Sequence, residues 1–445
     1  MNKTRLLNSP VAEKASQWDR RPPLAVFWDQ SLVWGLILLE TLDLLEIPYH
    51  LLTGRDVRNG LLDRYRVLVV PGGWALHKLA ALGERGASAV RAFVERGGSY
   101  LGFCGGAGLA LNSSPSLGLV PLERMSLTDR LPNASGTILV RGVTGHPAWR
   151  GLPEVLPVSI WWPSQFDWHP MPGVRCLASY LAPGEDFCVA DLPFQDLALE
   201  TVPWREWESV YGINLNPTRL LGHPGILEIK VGRGHVMLSY PHLETPGDVW
   251  GNRLLRGLLV YLSSVSREWA SWSDYGFPAR REPEGAADSV SLSLLRSIRE
   301  GFEELIAFGE RQLLWRWRNS WLLQWRRGLR GLEYGSLTIL ARTAERLAEP
   351  SNRVREDNGW PTEKVRRIHE NGRLFCDLAK RLLIEEKLAA QSGRLTKLGA
   401  VNDTVDAMRA RLFGRRMNHG GLCGDLFDDL DDLLGRLLRA SLPPI

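Results

Sequence analysis

The sequence predicts an α/β domain on a parallel sheet, followed by an all-α helical bundle. Three observations carry this prediction. Short apolar runs alternate with helix-period segments over residues 24–111, and two of those runs end in glycine-rich turns. Beyond Ser291 the chain changes to long Leu- and Arg-rich segments at helical period. A length of 445 residues suits two or three domains.

In order, Leu24-Ala-Val-Phe-Trp28 reads as a buried strand and Ser31 to Leu45 as a Leu-rich helix. Tyr49 to Leu52 and Arg66 to Val70 are the next strands, the second ending in Pro71-Gly72-Gly73. A helix follows over Ala87 to Glu95, and then the strand that leads into Cys104. Strands separated by helices at this spacing form βαβ units, whose ligands bind at the carboxyl ends of the strands. From Gly136 to Ser239 strands and turns take over, with candidates at 137–141, 175–180, 187–190, 225–230 and 235–239. A helix over Arg253 to Ser263 closes the domain. The expected boundaries are a polar tail at 1–22, the α/β domain at 23–265, a linker at 266–290 and the helical bundle at 291–445. The last part reads as four or five helices, broken near Pro350, Pro361, Gly393 and Gly420.

Composition narrows the class. Hydrophobic residues make up 44% and charged residues 23%, as in ordinary globular protein. Five scattered cysteines form no CxxC pair, which argues against a disulfide framework and for a reducing compartment. The N-terminal residues lack the apolar run of a secretory signal, so a cytoplasmic location is the expectation. Ser291 to Ile445 holds 27 Lys and Arg against 21 Asp and Glu, an excess too small to imply nucleic acid by itself.

The chemistry centres on Ser99-Tyr-Leu-Gly-Phe-Cys-Gly-Gly-Ala-Gly108. A strand-to-helix bend flanked by glycines lifts Cys104 out of the sheet and aims the first helical N–H groups at it. Such a bend suits a reactive thiol beside a stabilised anion. The other reading is a structural cysteine in a glycine-rich turn. At the end of the last predicted strand, His242 and Glu244 lie two apart on an extended segment, so both side chains face one side. An imidazole held by a carboxylate is the base a cysteine nucleophile needs.

Taken together, Pro71-Gly72-Gly73, Gly97-Gly98-Ser-Tyr-Leu-Gly-Phe-Cys-Gly-Gly-Ala107 and His242-x-Glu244 resemble the class I glutamine amidotransferase-like fold, with a flavodoxin-like parallel sheet. The wording is closest to the N-terminal domain of biotin–protein ligases, and the resemblance spans residues 23–265. It implies Cys104 as nucleophile, His242 as base, Glu244 as its orienter, and the Gly73 and Gly105 N–H groups as an oxyanion hole. Leu243 stands where relatives usually carry proline. The ligase's adenylate-binding loop has no counterpart here, so biotin ligation is not implied.

The same resemblance makes Gly72, Trp162 and Gln165 candidates for substrate contact, the last two in an aromatic loop over Ser159 to Trp168 whose other reading is a hydrophobic plug. Asp29 contacts substrate or caps the helix beginning near Ser31. Arg311 to Arg330 carries six arginines and four tryptophans without an acid, three of the tryptophans on one face of an expected helix. That helix packs in the bundle, with the acidic Asp425–Asp432 segment as a candidate neighbour, or touches a membrane or nucleic acid. No spacing marks a metal site, and no cofactor is expected. The function implied is a cysteine-dependent hydrolase or acyl-transfer enzyme acting on a small-molecule or peptide amide. The alternative is a non-catalytic binding module whose helical part offers a protein-partner surface.

Overall fold

Leu24-Ala-Val-Phe27 has no polar side chain, and it forms a strand with both faces covered (β1). The structure is a computed structural model that describes residues 24–197, 201–265, 287–349, 360–393, 399–415 and 419–442. The expected N-terminal tail and most of the linker lie outside the described residues.

After β1 come α1 (Leu32–Leu44), β2 (His50–Leu52), α2 (Gly54–Arg58), β3 (Val67–Val70), α3 (Ala75–Glu95), β4 (Ser99–Phe103) and α4 (Gly105–Ala110). The helix expected from Ala87 begins twelve residues earlier, across a kink at Gly83 (φ 60°). The chain continues through β5 (Glu123–Arg124), β6 (Ala134–Gly142), β7 (Val155–Trp161), β8 (Phe166–Asp167), β9 (Val174–Pro183), β10 (Cys188–Val189) and β11 (Leu192–Pro193). Helix α5 (Trp204–Tyr211), strands β12 (Pro224–Val231) and β13 (Gly234–Ser239), and helix α6 (Val249–Val265) complete this part.

Strands β2-β1-β3-β4-β13 lie side by side and parallel, which is the flavodoxin-like order 2-1-3-4-5 with β13 as the fifth strand. From β13 the sheet turns antiparallel through β12, β9, β6 and β10-β11, with β7 also on β6, and reaches eleven strands. The sheet is thus mixed rather than wholly parallel. The reason is local: β12 and β13 are joined by two residues, Gly232 (φ 56°) and Arg233, a connection that only an antiparallel pair can use.

Side chains alternate across the sheet. Leu24, Val26, Val67, Val69, Leu101 and Met237 enter one core, while Ala25, Phe27, Leu68, Val70, Tyr100 and Leu238 enter the other. Helix α3 covers the second core, and α1 and α6 cover the first. The first core runs on into α7 (Ser289–Arg311), α8 (Gly331–Ala348), α9 (Thr362–Gln391), α10 (Asp403–Phe413) and α11 (Gly421–Ala440), the five helices described after residue 287.

Two expectations about the C-terminal part need correction. The segment Arg311–Arg330 is not a helix carrying a tryptophan stripe. Beyond the end of α7 it forms a hairpin of β14 (Trp315–Trp317) and β15 (Leu323–Trp325), with Trp315 opposite Trp325. Its apolar residues follow period two at each end. The bend between them is fixed by Asn319 Oδ1, which accepts from the N–H groups of Trp321 and Leu322 at 2.9 Å. Nor do these arginines face the acidic C-terminal segment: Arg318 pairs with Asp186, Arg327 with Asp191 and Arg330 with Glu333. Asp429 instead pairs with Arg367 of α9. In the α/β part, the aromatic loop expected over Ser159–Trp168 starts as the end of β7.

Helix α11 is seated against the end of β1. Trp28 Nε1 donates to the Asp431 carbonyl, and the Gln30 N–H donates to Asp431 Oδ2, both at 2.9 Å. A Cβ at Gly435 would lie 2.8 Å from Trp28 Nε1, with Trp28 only 1% exposed. Gly435→Val is therefore expected to overpack this seam at a cost of about 1–3 kcal/mol. Calorimetry should show the Tm lowered by several degrees, and an unchanged Tm would mean that the seam yields freely.

Candidate active site

Four chain segments converge at the carboxyl ends of the parallel strands. Cys104 follows β4 directly, at φ 44° and ψ −101°. A non-glycine residue held at positive φ is strained, and here the surroundings enforce it. The Cys104 N–H donates to the Ser239 carbonyl at the end of β13 (2.8 Å), and its carbonyl accepts from the Gly108 N–H of α4 (2.9 Å). The thiol is half-buried.

The helix after Cys104 fits only because it begins with two glycines. A Cβ on Gly105 would lie 1.8 Å from the Gly73 carbonyl oxygen and 3.1 Å from the Gly73 nitrogen. A Cβ on Gly106 would lie 2.0 Å from the Val70 carbonyl. The loop after β3 and the start of α4 thus touch backbone to backbone. Among the described residues, neither the Gly73 nor the Gly105 N–H donates to a protein group. Gly73 itself sits at φ 106°. The two N–H groups lie on adjoining backbone beside the thiol-bearing bend.

His242 and Glu244 follow β13 in a turn rather than on the extended segment expected, with the Thr245 N–H donating to the His242 carbonyl at 3.0 Å, and both are fully buried. His242 Nδ1 is 2.7 Å from Glu244 Oε1, which leaves Nε2 without a hydrogen-bond partner of ordinary geometry. Burial disfavours the imidazolium, yet the Glu244 carboxylate and the neighbouring Cys104 outweigh it and push the pKa up to about 10. The Trp34 indole stacks on the imidazole at 4.4 Å between ring centroids and 25° between planes. Trp34 also backs Gly72, whose Cβ would meet the indole at 2.9 Å.

The structure therefore brings Cys104, His242, Glu244, Gly73, Gly105 and Gly72 to one end of the sheet. Trp162, at φ 47°, lies against Trp34 at 6.3 Å and against Trp325 of the C-terminal hairpin at 4.4 Å. Gln165 is not available to a substrate. It is fully buried, and its amide is committed to the Leu131 N–H and the Arg219 carbonyl, each at 2.7 Å. Asp29 does not cap the helix near Ser31; its Oδ2 accepts from the Gly54 N–H at 2.7 Å, at the start of α2. Asp29 also lines a cavity of about 860 Å³ between the ends of β1 and β2 and α11, which Cys104 and His242 do not line.

Several groups here carry no motif in the sequence. Trp34 sits in a Leu-rich helix and looks like any core aromatic. Lys78 is fully buried and donates to Ser31 Oγ at 2.5 Å, with its Nζ 3.7 Å from a Cβ placed on Gly73. Burial pushes Lys78 down, against the pull of Asp431 and Asp29. Arg124, Arg130, Tyr180 and Tyr240 also surround the bend, from loops and strands without a motif. Among the described residues no cluster of His, Cys, Asp or Glu is arranged to hold a metal, and no helix is long and apolar enough to cross a membrane.

Residues 62–113, from just before β3 to just past α4, match the family model for the biotin–protein ligase N-terminal domain. No curated protein matches the chain in sequence. Solved structures with a similar course include a candidate GMP synthase subunit from Thermoplasma acidophilum, at 14% identity and TM-score 0.35, covering 54% of this chain and 94% of that one. A ThuA-like candidate from Bacteroides uniformis aligns at 13% identity and TM-score 0.36, covering 55% and 92%. A glutamine amidotransferase from Thermotoga maritima aligns at 11% identity and TM-score 0.32, covering 55% and 84%.

The raised His242 value has a testable consequence. Its folded-state pKa of about 10 exceeds the ordinary 6.5, so the imidazolium stabilises the fold fully below about pH 6.5 and loses that contribution as pH rises through 10. Removing the carboxylate charge in Glu244→Gln is expected to bring the His242 midpoint, followed by NMR, down by about 1–3 pH units. A midpoint that stays in place would mean that Glu244 does not set it.

Proposed function

We propose that the chain is a cysteine-dependent acyl-transfer enzyme or hydrolase acting on an amide, with Cys104 as nucleophile, His242 as base and Glu244 as the group that orients it. The observation that carries this reading is the unpartnered Nε2 of a buried imidazole whose other nitrogen is held by a carboxylate, beside a thiol on a strained bend.

The roles follow from chemistry. With the thiol's proton already transferred to Nε2, as the raised imidazole pKa favours, the sulfur attacks the carbonyl carbon as the thiolate, and the new S–C bond makes a tetrahedral oxyanion. The N–H groups of Gly73 and Gly105 receive that oxyanion, since both lie beside the bend and neither is engaged elsewhere among the described residues. Collapse breaks the C–N bond, and Nε2 gives the proton to the leaving amine. Water, or another acceptor, then attacks the thioester with His242 again taking a proton, and the thiol is restored. Glu244 fixes which imidazole nitrogen faces the sulfur. The strained φ of Cys104 and the glycine contacts supply positioning rather than chemistry.

The experiment is alkylation by iodoacetamide with the modified site read by mass spectrometry. Burial pushes the thiols of Cys176, Cys188, Cys376 and Cys423 up. Cys104 is expected to react fastest of the five, and His242→Asn to slow it by about 10²-fold at neutral pH. Equal reactivity of all five thiols would overturn the assignment.

A further inference from the structure

Arg124 and Arg130 both lie by the bend that carries Cys104, and nothing in the acyl-transfer chemistry uses them. Arg124 reaches over α4: a Cβ on Gly108 would lie 2.5 Å from its Nη2. It is placed there by the pairing of β5 with β8, which sets Arg124 opposite Phe166. Arg130 Nη1 donates to Ser164 Oγ at 2.9 Å, two residues before Phe166. Its Nε is buried without a partner. Neither arginine joins an ion pair among the described residues.

Two tyrosine hydroxyls complete the cluster. Tyr240 packs its ring on Phe166 at 4.3 Å, and Tyr180 lies against Gly225, whose Cβ would meet its ring at 3.2 Å. Both side chains are buried; among the described residues the Tyr180 hydroxyl has no hydrogen-bond partner, and that of Tyr240 has only Ser164 within reach. Cys104 acts electrostatically on Arg130, Tyr180 and Tyr240, and Arg124 acts on Arg130 and Tyr240, so the five groups share one neighbourhood.

This arrangement is costly as it stands. The partly buried Arg130 is repelled by Arg124 with no carboxylate paired to it among the described residues, and the buried Tyr180 hydroxyl, left unpaired, loses hydrogen bonds it made in water. Elsewhere this chain pairs buried or partly buried arginines, as with Arg318, Arg327 and Arg409. A bound anion would relieve both costs at once, taking charge-assisted hydrogen bonds from the guanidinium groups and neutral ones from the hydroxyls.

We propose that Arg124, Arg130, Tyr180 and Tyr240 form a subsite for an anionic group, a carboxylate or phosphate, carried by the acyl substrate of Cys104. The inference rests on Cys104 being the nucleophile, and it adds the charge of the substrate. A neutral apolar amide would leave the cluster unsatisfied, whereas an acyl group with an anion at its far end would be drawn to the thiol and held there.

The test compares two reagents that transfer the same carbon to sulfur and release iodide, one anionic (iodoacetate) and one neutral (iodoacetamide). At low salt the iodoacetate-to-iodoacetamide rate ratio at Cys104 is expected to exceed that of a free thiol by about tenfold or more, and to decline as salt is raised. Arg124→Gln and Arg130→Gln should each bring the ratio toward the free-thiol value, while Arg124→Lys, which keeps the charge at an exposed position, should retain most of it. Glutarate or inorganic phosphate should protect Cys104 from iodoacetamide, and which of them does so identifies the anion. A free-thiol ratio with no protection by either anion, while Cys104 still reacts fastest of the five thiols, overturns the subsite and leaves the nucleophile standing. Failure of Cys104 to react preferentially with either reagent overturns the nucleophile and the subsite with it.

Discussion

The contact between Gly105-Gly106 and the carbonyls of Gly73 and Val70 is the constraint on which the site depends. It is backbone against backbone, so no rotamer change can relieve a side chain placed there. It fixes the distance between β3's loop and the first turn of α4, and so the spacing of two N–H groups that no described residue engages. It also forces the strained bend at Cys104, because α4 must start where β4 ends and still clear the loop. Tyr100 supports the same turn by donating from its hydroxyl to the Gly106 carbonyl at 2.6 Å. One close approach thereby sets the bend and both backbone donors.

The imidazole is held by different physics. Its charge is governed by opposition: burial works against the imidazolium, and the carboxylate 2.7 Å away works for it. Its orientation is governed by packing, since Trp34 covers the ring face while the hydrogen bond fixes its edge. The carboxylate alone leaves the ring free to rotate about the bond that it accepts. With the face covered, Nε2 has a single direction in which to point.

Much of this was legible in the sequence, because the features concerned are local. Apolar four-residue runs bounded by turn residues read as covered strands, and the glycines around Cys104 as a close approach. His242 and Glu244 were legible as a pair but not in their geometry, because their segment is a turn closed by the Thr245 N–H on the His242 carbonyl at 3.0 Å and not extended chain. Elements that rely on distant partners were not legible. The tryptophans of Trp315–Trp325 have a helical spacing and a strand spacing at once, and Asn319 decides between them by accepting two backbone N–H groups. Gln165 looks free for a substrate in the sequence because its partners, Leu131 and Arg219, are 34 and 54 residues away. Arg124, Arg130, Tyr180 and Tyr240 share no motif at all; only the folded sheet gathers them.

The C-terminal part also bears on the site, although no motif in it does. Trp325 packs on Trp162, Trp162 on Trp34, and Trp34 on the imidazole of His242, so aromatic contacts run unbroken from the hairpin to that ring. The hairpin is tied down independently: Gln324 accepts from Ser135 Oγ at 2.9 Å and donates to the Ala190 carbonyl at 2.6 Å, and Arg327 reaches Asp191. On the other side, Asp431 of α11 holds the backbone of Gln30, and a Cβ on Gly73 would lie 2.7 Å from the Gln30 carbonyl. Two separate parts of the C-terminal region thus rest on the two halves of the site, the imidazole and the glycine loop. Those contacts pack the C-terminal region against the α/β part, where they hold the aromatic cover of the imidazole and the glycine loop in place.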